Sequence, residues 1–120
     1  MSNIHSIHDL EVYRLAFEAA MDVFHTTRTF PPAERYGLTD QLRRSSRSVA
    51  ANLREGFAKR RYSGLFARHI TDALGSAEET RTHLDFAVAC GYLPEKVHAE
   101  ISNKYDRIAA MLFRLLQRWT

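Results

Sequence analysis

Apolar side chains recur at every third or fourth position in four stretches of the chain, and turn-forming residues separate these stretches. This spacing is typical of one face of an α-helix. The expected inner faces are Leu10, Tyr13, Phe17, Ala20 and Phe24 in the first stretch, Leu38, Leu42, Val49 and Leu53 in the second, Phe66, Ile70, Ala73, Ala77, Leu84 and Val88 in the third, and Val97, Ile101, Tyr105, Ile108, Leu112, Leu115 and Trp119 in the fourth. Strands are not expected, because no stretch alternates with period two between turn signals.

Local signals place the four helices at about residues 9–27, 39–56, 63–90 and 94–119. Asp9 and Ser63 are residue types that cap the first turn of a helix. Gly91 suits the left-handed residue that often ends a helix, and Pro94 suits a first helical turn. The chain has the length of one domain, and its mostly short connections favour antiparallel neighbours. We therefore predict an all-α fold, a single antiparallel up-down-up-down four-helix bundle over residues 1–120.

The second predicted helix, QLRRSSRSVAANLREG and its flanks, carries two separate stripes. At about 100° per residue, its aliphatic residues fall within about 60° of one another. Arg43, Arg47 and Arg54 fall within about 40° of each other, centred about 130° from the aliphatic stripe. Small residues lie beside the aliphatic stripe and allow another helix backbone to approach closely. These are Ser45, Ser46, Ala50, Asn52 and Gly56.

Charge is unevenly distributed along the chain. Between residues 43 and 61 there are seven basic side chains and one acid, Glu55, whereas the remaining ten Lys and Arg face thirteen Asp and Glu. The basic set is Arg43, Arg44, Arg47, Arg54, Lys59, Arg60 and Arg61. Three interpretations remain open: a solvated charge run, pairing with carboxylates of a neighbouring subunit, and contact with phosphate. Phe57 and Tyr62 flank the basic turn and either stack on bases or pack at the end of the bundle.

Five stretches resemble the four-helix bundle family encoded in intervening sequences of bacterial 23S ribosomal RNA genes, sometimes labelled the S23 ribosomal protein family. They are DLEVYRLA (Asp9–Ala16), FPPAERYGLTDQLRRS (Phe30–Ser45), NLREGFAKR (Asn52–Arg60), LGSAEET (Leu74–Thr80) and CGYL (Cys90–Leu93). The resemblance implies a left-handed bundle, a homo-oligomer, specifically a pentamer, and no established enzyme activity. It also implies kinship with accessory variability proteins of diversity-generating retroelements, which engage a reverse transcriptase and nucleic acid.

Residues on the family's recurring positions are expected to serve packing or subunit contacts. They are Gln41, Leu42, Arg43, Arg44, Asn52, Glu55, Gly56, Gly75, Ser76 and Glu79. We interpret Gly75 and Ser76 as a close helix crossing, and we expect Glu79 to pair with Arg43 or Arg44. The sequence departs from the family at Thr80 and Arg81, where an aliphatic residue and an acid are usual.

The sequence lacks the motifs of common catalytic and metal-binding sites. It contains no HExxH, GxSxG or P-loop. Di-metal bundles carry Glu-x-x-His on two helices, and here it occurs once, at Glu95 and His98. His5 and His8 form HxxH without a nearby carboxylate cluster. We therefore expect no enzyme activity, metal or cofactor.

The remaining features favour a cytoplasmic protein that does not enter a membrane. No apolar stretch approaches the ~20 residues of a membrane span, and the first residues do not resemble a signal peptide. Cys90, the single cysteine, excludes an intrachain disulfide and is expected to be buried as a small apolar residue.

Two functions follow from these features. The first is a nucleic-acid-associated accessory protein that uses the basic surface to bind RNA or DNA, with a reverse transcriptase as a candidate protein partner. The second is a protein-interaction or scaffolding oligomer with no nucleic-acid role. In that alternative, the small residues of the second helix form the contact between subunits.

Overall fold

Four α-helices make up most of the chain. The computed structural model describes residues 4–119, with side chains described through residue 118. The helices are α1 (Glu11–Thr27), α2 (Leu38–Ala58), α3 (Ser63–Ala89) and α4 (Glu95–Trp119). Two short 3₁₀ turns, Ile7–Asp9 and Pro32–Glu34, precede α1 and α2, and the described residues include no strand. The all-α prediction is confirmed, and each helix boundary lies within two residues of its expected position.

Neighbouring helices run antiparallel and pack in chain order. The start of α2 lies beside the end of α1, where Arg43 Nε donates to Thr27 Oγ1 at 2.9 Å. The end of α2 lies beside the start of α1, where Arg54 donates to the Tyr13 hydroxyl at 3.3 Å. The pairs α2–α3 and α3–α4 also pack together, and α4 contacts α1 to close the bundle. The handedness of the bundle stays a prediction.

The core lies along the bundle axis and contains the expected inner faces of α2, α3 and α4. Leu38, Val88 and Val97 are only partly buried, and the Trp119 side chain lies outside the described residues. The fully buried residues of these three helices include Leu42, Val49, Leu53, Phe66, Ile70, Ala73, Ala77, Leu84, Tyr105, Ile108 and Leu112. Burial of this apolar area stabilises the fold, at about 25 cal/mol per Å².

The inner face predicted for the first helix is only partly correct: Leu10 and Tyr13 are buried as predicted, but the other three residues are not. Phe17 is 53% exposed, and Ala20 and Phe24 are only partly buried. The residues that face the core are instead Val12, Leu15, Ala16, Ala19 and Val23. Both sets recur with helical spacing, and the small alanines of the second set let α1 lie close to the other helices. As a result, Phe17, Met21 and Phe24 border the junction with α2.

Several helix ends differ from the prediction. Leu10, not Asp9, precedes α1. The Asp9 carboxylate instead accepts the backbone N–H groups of His5 (2.8 Å) and Ser6 (3.0 Å), and these bonds lower its pKa. Tyr62 occupies the N-cap position of α3, so Ser63 is the first helical residue.

In the turn between α3 and α4, the prediction for Gly91 is confirmed and the prediction for Cys90 is wrong. Gly91 has φ of +77°, a left-handed conformation that residues with a Cβ rarely adopt, and this ends α3 as predicted. Cys90 is exposed, so the prediction that it is buried is wrong. The reason is its position in the last, outward-facing turn, where the apolar run of α3 leaves the core.

Candidate nucleic-acid interface

The small polar residues of α2 face α3 of the same chain. Ser45 Oγ lies 2.8 Å from Thr80 Oγ1, and Ser48 Oγ lies 2.9 Å from Ser76 Oγ. Ser45 and Thr80 are fully buried, and Ser76 and Ser48 are partly buried. Hydroxyl pairs therefore connect the two helices where bulky apolar residues would keep them apart.

The close approach of α2 and α3 continues at the end of α2. A Cβ on Gly56 would lie 2.8 Å from His69 Cβ, which is closer than real side chains come. His69 Nδ1 lies 3.2 Å from Asn52 Oδ1, and its Nε2 lies 3.0 Å from Lys59 Nζ and 4.0 Å from Glu55. Because Lys59 donates to Nε2, a neutral His69 donates through Nδ1 to Asn52.

Three of the small residues of α2, Ser45, Asn52 and Gly56, contact α3 of the same chain. Where subunits would contact each other stays a prediction. Glu55 is exposed but points toward His69. Ser76 lies at a helix crossing as expected, whereas Gly75 does not, since it is exposed on α3 and a Cβ added to it would meet no atom within 4 Å.

Glu79 pairs with Arg44, one of the two arginines that the sequence analysis expected as its partner. Glu79 also lies 3.1 Å from His83 Nε2, and Gln41 accepts from Arg44 at 2.8 Å. The side chains of Arg44 and Glu79 are 55% and 38% exposed, so this ion pair contributes at most about 1 kcal/mol. The charge of Arg44 is thereby compensated within the chain.

The other arginines of α2 form a row along its boundary with α1. We call Arg43, Arg47 and Arg54 the arginine row. Arg43 lies over the Phe24 ring, 4.9 Å from its centroid, and Arg54 donates to the neutral Tyr13 hydroxyl. Arg47 is exposed and has no hydrogen bond or ion pair among residues 4–118. None of the three is paired with a carboxylate in that part of the chain.

The turn after α2 adds three more cations, Lys59, Arg60 and Arg61. The Arg60 guanidinium lies 3.9 Å from the centroid of the buried Phe57 ring and donates to the Phe57 carbonyl at 2.9 Å. Phe57 is therefore covered and cannot stack on a base, whereas Tyr62 is exposed. Arg61 is exposed without a described partner.

A groove of about 350 Å³ separates α1 from α2; we call it the α1–α2 groove. Apolar side chains form its floor and one wall, two members of the arginine row border it, and none of its lining residues is acidic. The lining residues are Tyr13, Phe17, Ala20, Met21, Phe24, Arg47, Ala50, Ala51 and Arg54. A smaller depression at His8 and Arg14 extends it, because it shares Tyr13 and Phe17.

The sequence interpretation missed this groove. It assigned Phe17, Ala20 and Phe24 to the core, although the competing stripe through Val12, Ala16 and Val23 has the same helical spacing. A helix with two apolar stripes can bury only one of them fully in a four-helix bundle. The second apolar stripe of α1 was therefore the sequence feature that could have indicated an exposed apolar groove.

A larger cleft of about 640 Å³ between α1 and α4 carries mixed charges. There, Lys104 pairs with both Asp22 and Glu18, and its hydrogen bond to Asp22 raises its pKa. Cations and carboxylates thus neutralise each other in this cleft. Within residues 4–118, no three His, Cys, Asp or Glu side chains are grouped so that they could hold a metal ion. Among the described helices, none is long and apolar enough to cross a membrane.

Comparison with known proteins finds a matching family and matching solved structures. The family of 23S rRNA-intervening sequence proteins matches residues 8–114. A crystal structure of a protein from the S23 ribosomal protein family of Bacteroides thetaiotaomicron, described as having unknown function, superposes with a TM-score of 0.80. It is 21% identical, and the match covers 88% of this chain and 95% of that one, so it supports the fold alone.

No functionally curated protein matches the sequence. Neither the family description nor the Bacteroides structure indicates an enzymatic activity. The family match spans almost all of the four-helix bundle, including the arginine row and the basic turn. The chain therefore belongs to the 23S rRNA-intervening sequence protein family.

Proposed function

We propose that this protein is a non-enzymatic, self-associating bundle that binds nucleic acid through the arginine row and the turn at Lys59, Arg60 and Arg61. One observation carries the proposal. Of the seven cations between residues 43 and 61, only Arg44 is paired with a carboxylate of the described chain. The six others are held by neutral groups or are exposed. An external polyanion can therefore pair with these cations without first breaking ion pairs within the chain.

Recognition of this kind is mainly electrostatic. Arginine and lysine contacts with phosphate position a protein on nucleic acid but do not read its sequence. Each neutralised phosphate releases counterions, so affinity falls steeply with salt. Self-association, which the family resemblance suggests in the form of a pentamer, would multiply these contacts and increase affinity through avidity. A reverse transcriptase remains a proposed protein partner on the same ground.

Fluorescence anisotropy with a structured RNA and a duplex DNA tests the proposal. We expect binding near 50 mM salt, with a slope of log affinity against log salt of about −0.9 for each phosphate contact on duplex DNA. The double variant Arg47→Gln/Arg54→Gln should weaken binding to both nucleic acids. It should also make the slope on duplex DNA less steep by up to about 1.8, since two phosphate contacts are lost.

Arg107→Gln/Arg114→Gln is the matched control. Both residues are exposed on α4, and they have the same seven-residue spacing and total charge as the tested pair. The control should retain the affinity and slope of the wild type. Absence of binding to both RNA and DNA near 50 mM salt would rule out the proposal. An equal loss of nucleic-acid affinity in the control variant would show that the binding surface cannot be assigned to α2.

The protein-interaction alternative is favoured by a different observation, the exposed apolar side chains of Phe17 and Met21. Exposed apolar surface of this kind often marks a contact with another protein. Under this alternative, light scattering detects an oligomer whose mass falls after Arg47→Glu or Arg54→Glu, and nucleic acid has no effect. A monomer at micromolar concentration would exclude this alternative and would also remove self-association from the first proposal.

A further inference from the structure

We infer that the α1–α2 groove binds unpaired nucleic acid, with a base stacked against Phe17 and the adjoining phosphates on Arg47 and Arg54. This inference rests on the proposed function and specifies which nucleic acid the arginine row takes. It assigns a role to side chains that the core does not use. It also explains why an aromatic ring stands in a groove that is bordered by cations.

The apolar part of the site is built around Phe17. Its side chain is 53% exposed, and the neighbouring Tyr13 ring lies 6.4 Å away between centroids at a tilt of 42°. Small residues, Ala50 and Ala51, line the opposite wall and leave room for a planar group. Stacking of a base on an aromatic side chain contributes about 1–3 kcal/mol and tolerates any sequence.

The charged part of the site follows the groove. Arg47 and Arg54 are seven residues apart, about 10 Å along the helix axis. Arg43 continues the row at one end, and Arg14 borders the adjoining depression. From Arg43 to its end at Ala58, α2 is about 22 Å long, and the turn that follows adds Lys59, Arg60 and Arg61. A row that extends beyond the groove suits a continuous polyanion better than a short acidic peptide.

The pairing state of the bases follows from the position of Phe17 inside the groove. In a duplex, the bases are stacked on each other and present only their edges, whereas unpaired bases expose faces that aromatic side chains can contact. Duplexes can still contact the arginine row through phosphates. We therefore expect the contribution of Phe17 to be specific to unpaired strands.

A second copy of the chain fits the groove less well, because four of the seven carboxylates on α3 and α4 are already engaged; the other three are Asp72, Glu95 and Glu100. Glu78 and Asp106 pair with Arg81, and Asp85 pairs with His98 at 2.7 Å. Glu79 pairs with Arg44. These groups would have to leave their own partners before they could neutralise the arginine row of a neighbour.

Binding of an unstructured oligonucleotide and of the duplex of the same sequence tests this inference. Phe17→Ala should weaken single-strand binding by about 5- to 100-fold, the loss of one stacked base. Its duplex affinity and the salt slopes should stay at wild-type values, because no phosphate contact is lost. Phe17→Trp should restore single-strand binding, since tryptophan provides a larger stacking surface.

Phe113→Ala on α4 is the matched control. Phe113 and Phe86 are 57% and 59% exposed, fractions similar to that of Phe17, but they do not line the groove. Phe113→Ala should bind single strands as the wild type does. Circular dichroism and light scattering on each variant show whether it retains the fold and the oligomeric mass.

Three results would overturn the inference. The first is single-strand binding that is unchanged by Phe17→Ala. The second is a fall in oligomeric mass after Phe17→Ala without a change in single-strand affinity, which would identify a second copy as the occupant. The third is binding of poly-glutamate, but not of single strands, that depends on Phe17. Nucleic-acid binding in which single-strand affinity does not depend on Phe17 removes this inference alone, whereas absence of all nucleic-acid binding also removes the proposed function.

Discussion

At the residue scale, the hydroxyl groups of Ser45 and Thr80 illustrate how this bundle places polar atoms in its interior. Both residues are fully buried, and Thr80 Oγ1 lies 2.8 Å from both Ser45 Oγ and the Ser76 carbonyl oxygen. A buried hydroxyl without a partner destabilises a protein by about 1–3 kcal/mol. Thr80 is therefore matched by a partner on α2.

Replacement of Thr80 by valine tests this pairing. Thr80→Val keeps the shape of the side chain but removes the hydroxyl, so Ser45 loses its partner on α3. We expect the free energy of unfolding to fall by about 1–2 kcal/mol. Urea denaturation followed by circular dichroism measures the change.

Thr82→Val on the same helix is the control for this experiment. Thr82 is exposed, and its hydroxyl bonds only to the Glu78 carbonyl of its own helix. Its substitution should alter stability by about 0.5 kcal/mol or less. Equal effects of the two substitutions would show that the contact between Thr80 and Ser45 contributes nothing specific.

At the scale of helices, the sequence pattern predicted the buried faces of α2, α3 and α4 but not that of α1. In α2, polar residues surround Leu42, Val49 and Leu53, so only one face can be buried. In α1, Phe17 and Ala16 belong to two apolar stripes that both satisfy helical spacing. Only the packing of the other three helices decides between them, and a single-helix pattern does not contain that information.

Replacement by alanine is expected to change stability in opposite directions at Gly56 on α2 and at Gly75 on α3. A Cβ on Gly56 would collide with His69, whereas one on Gly75 would meet open space. Gly56→Ala should therefore destabilise the fold by about 1–2 kcal/mol, because overpacking outweighs the gain in helix propensity. Gly75→Ala should stabilise it by about 0.5–1 kcal/mol.

Thermal or urea unfolding of both alanine variants checks these signs, and each variant serves as the control for the other. Stabilisation by Gly56→Ala would mean that α2 and α3 do not approach as closely as described. Destabilisation by Gly75→Ala, with the fold otherwise intact, would indicate that the outer face of α3 packs against another chain.

At the scale of the whole molecule, the sequence predicted the basic surface but not how its charges are used. Wheel positions placed Arg43, Arg47 and Arg54 on one flank, and the structure has them there. The pairing of Arg44 with Glu79 depends on the axial alignment of α2 with α3, and the stacking of Arg60 on Phe57 depends on the turn. Neither arrangement can be derived from spacing along one helix.

Together, the arginine row and the α1–α2 groove form a surface on one side of the bundle. Six of the ten acidic groups on α1, α3 and α4 face basic groups of their own chain, as Asp22 faces Lys104 and Asp106 faces Arg81. The unbalanced positive charge is thereby concentrated where exposed apolar side chains also occur. The central claim is that this combined surface is the place where nucleic acid binds.

Hydroxyl-radical footprinting tests that claim most directly, because it reports the accessibility of individual side chains whatever the oligomeric state. In the free protein, Phe17 and Met21 should be oxidised readily, as should Phe86 and Phe113, which serve as internal references. Saturation with an unstructured oligonucleotide should protect Phe17 and Met21 several-fold and leave Phe86 and Phe113 unchanged. Oxidation of Phe17 and Met21 that stays at the free-protein level while the oligonucleotide is bound would contradict the account.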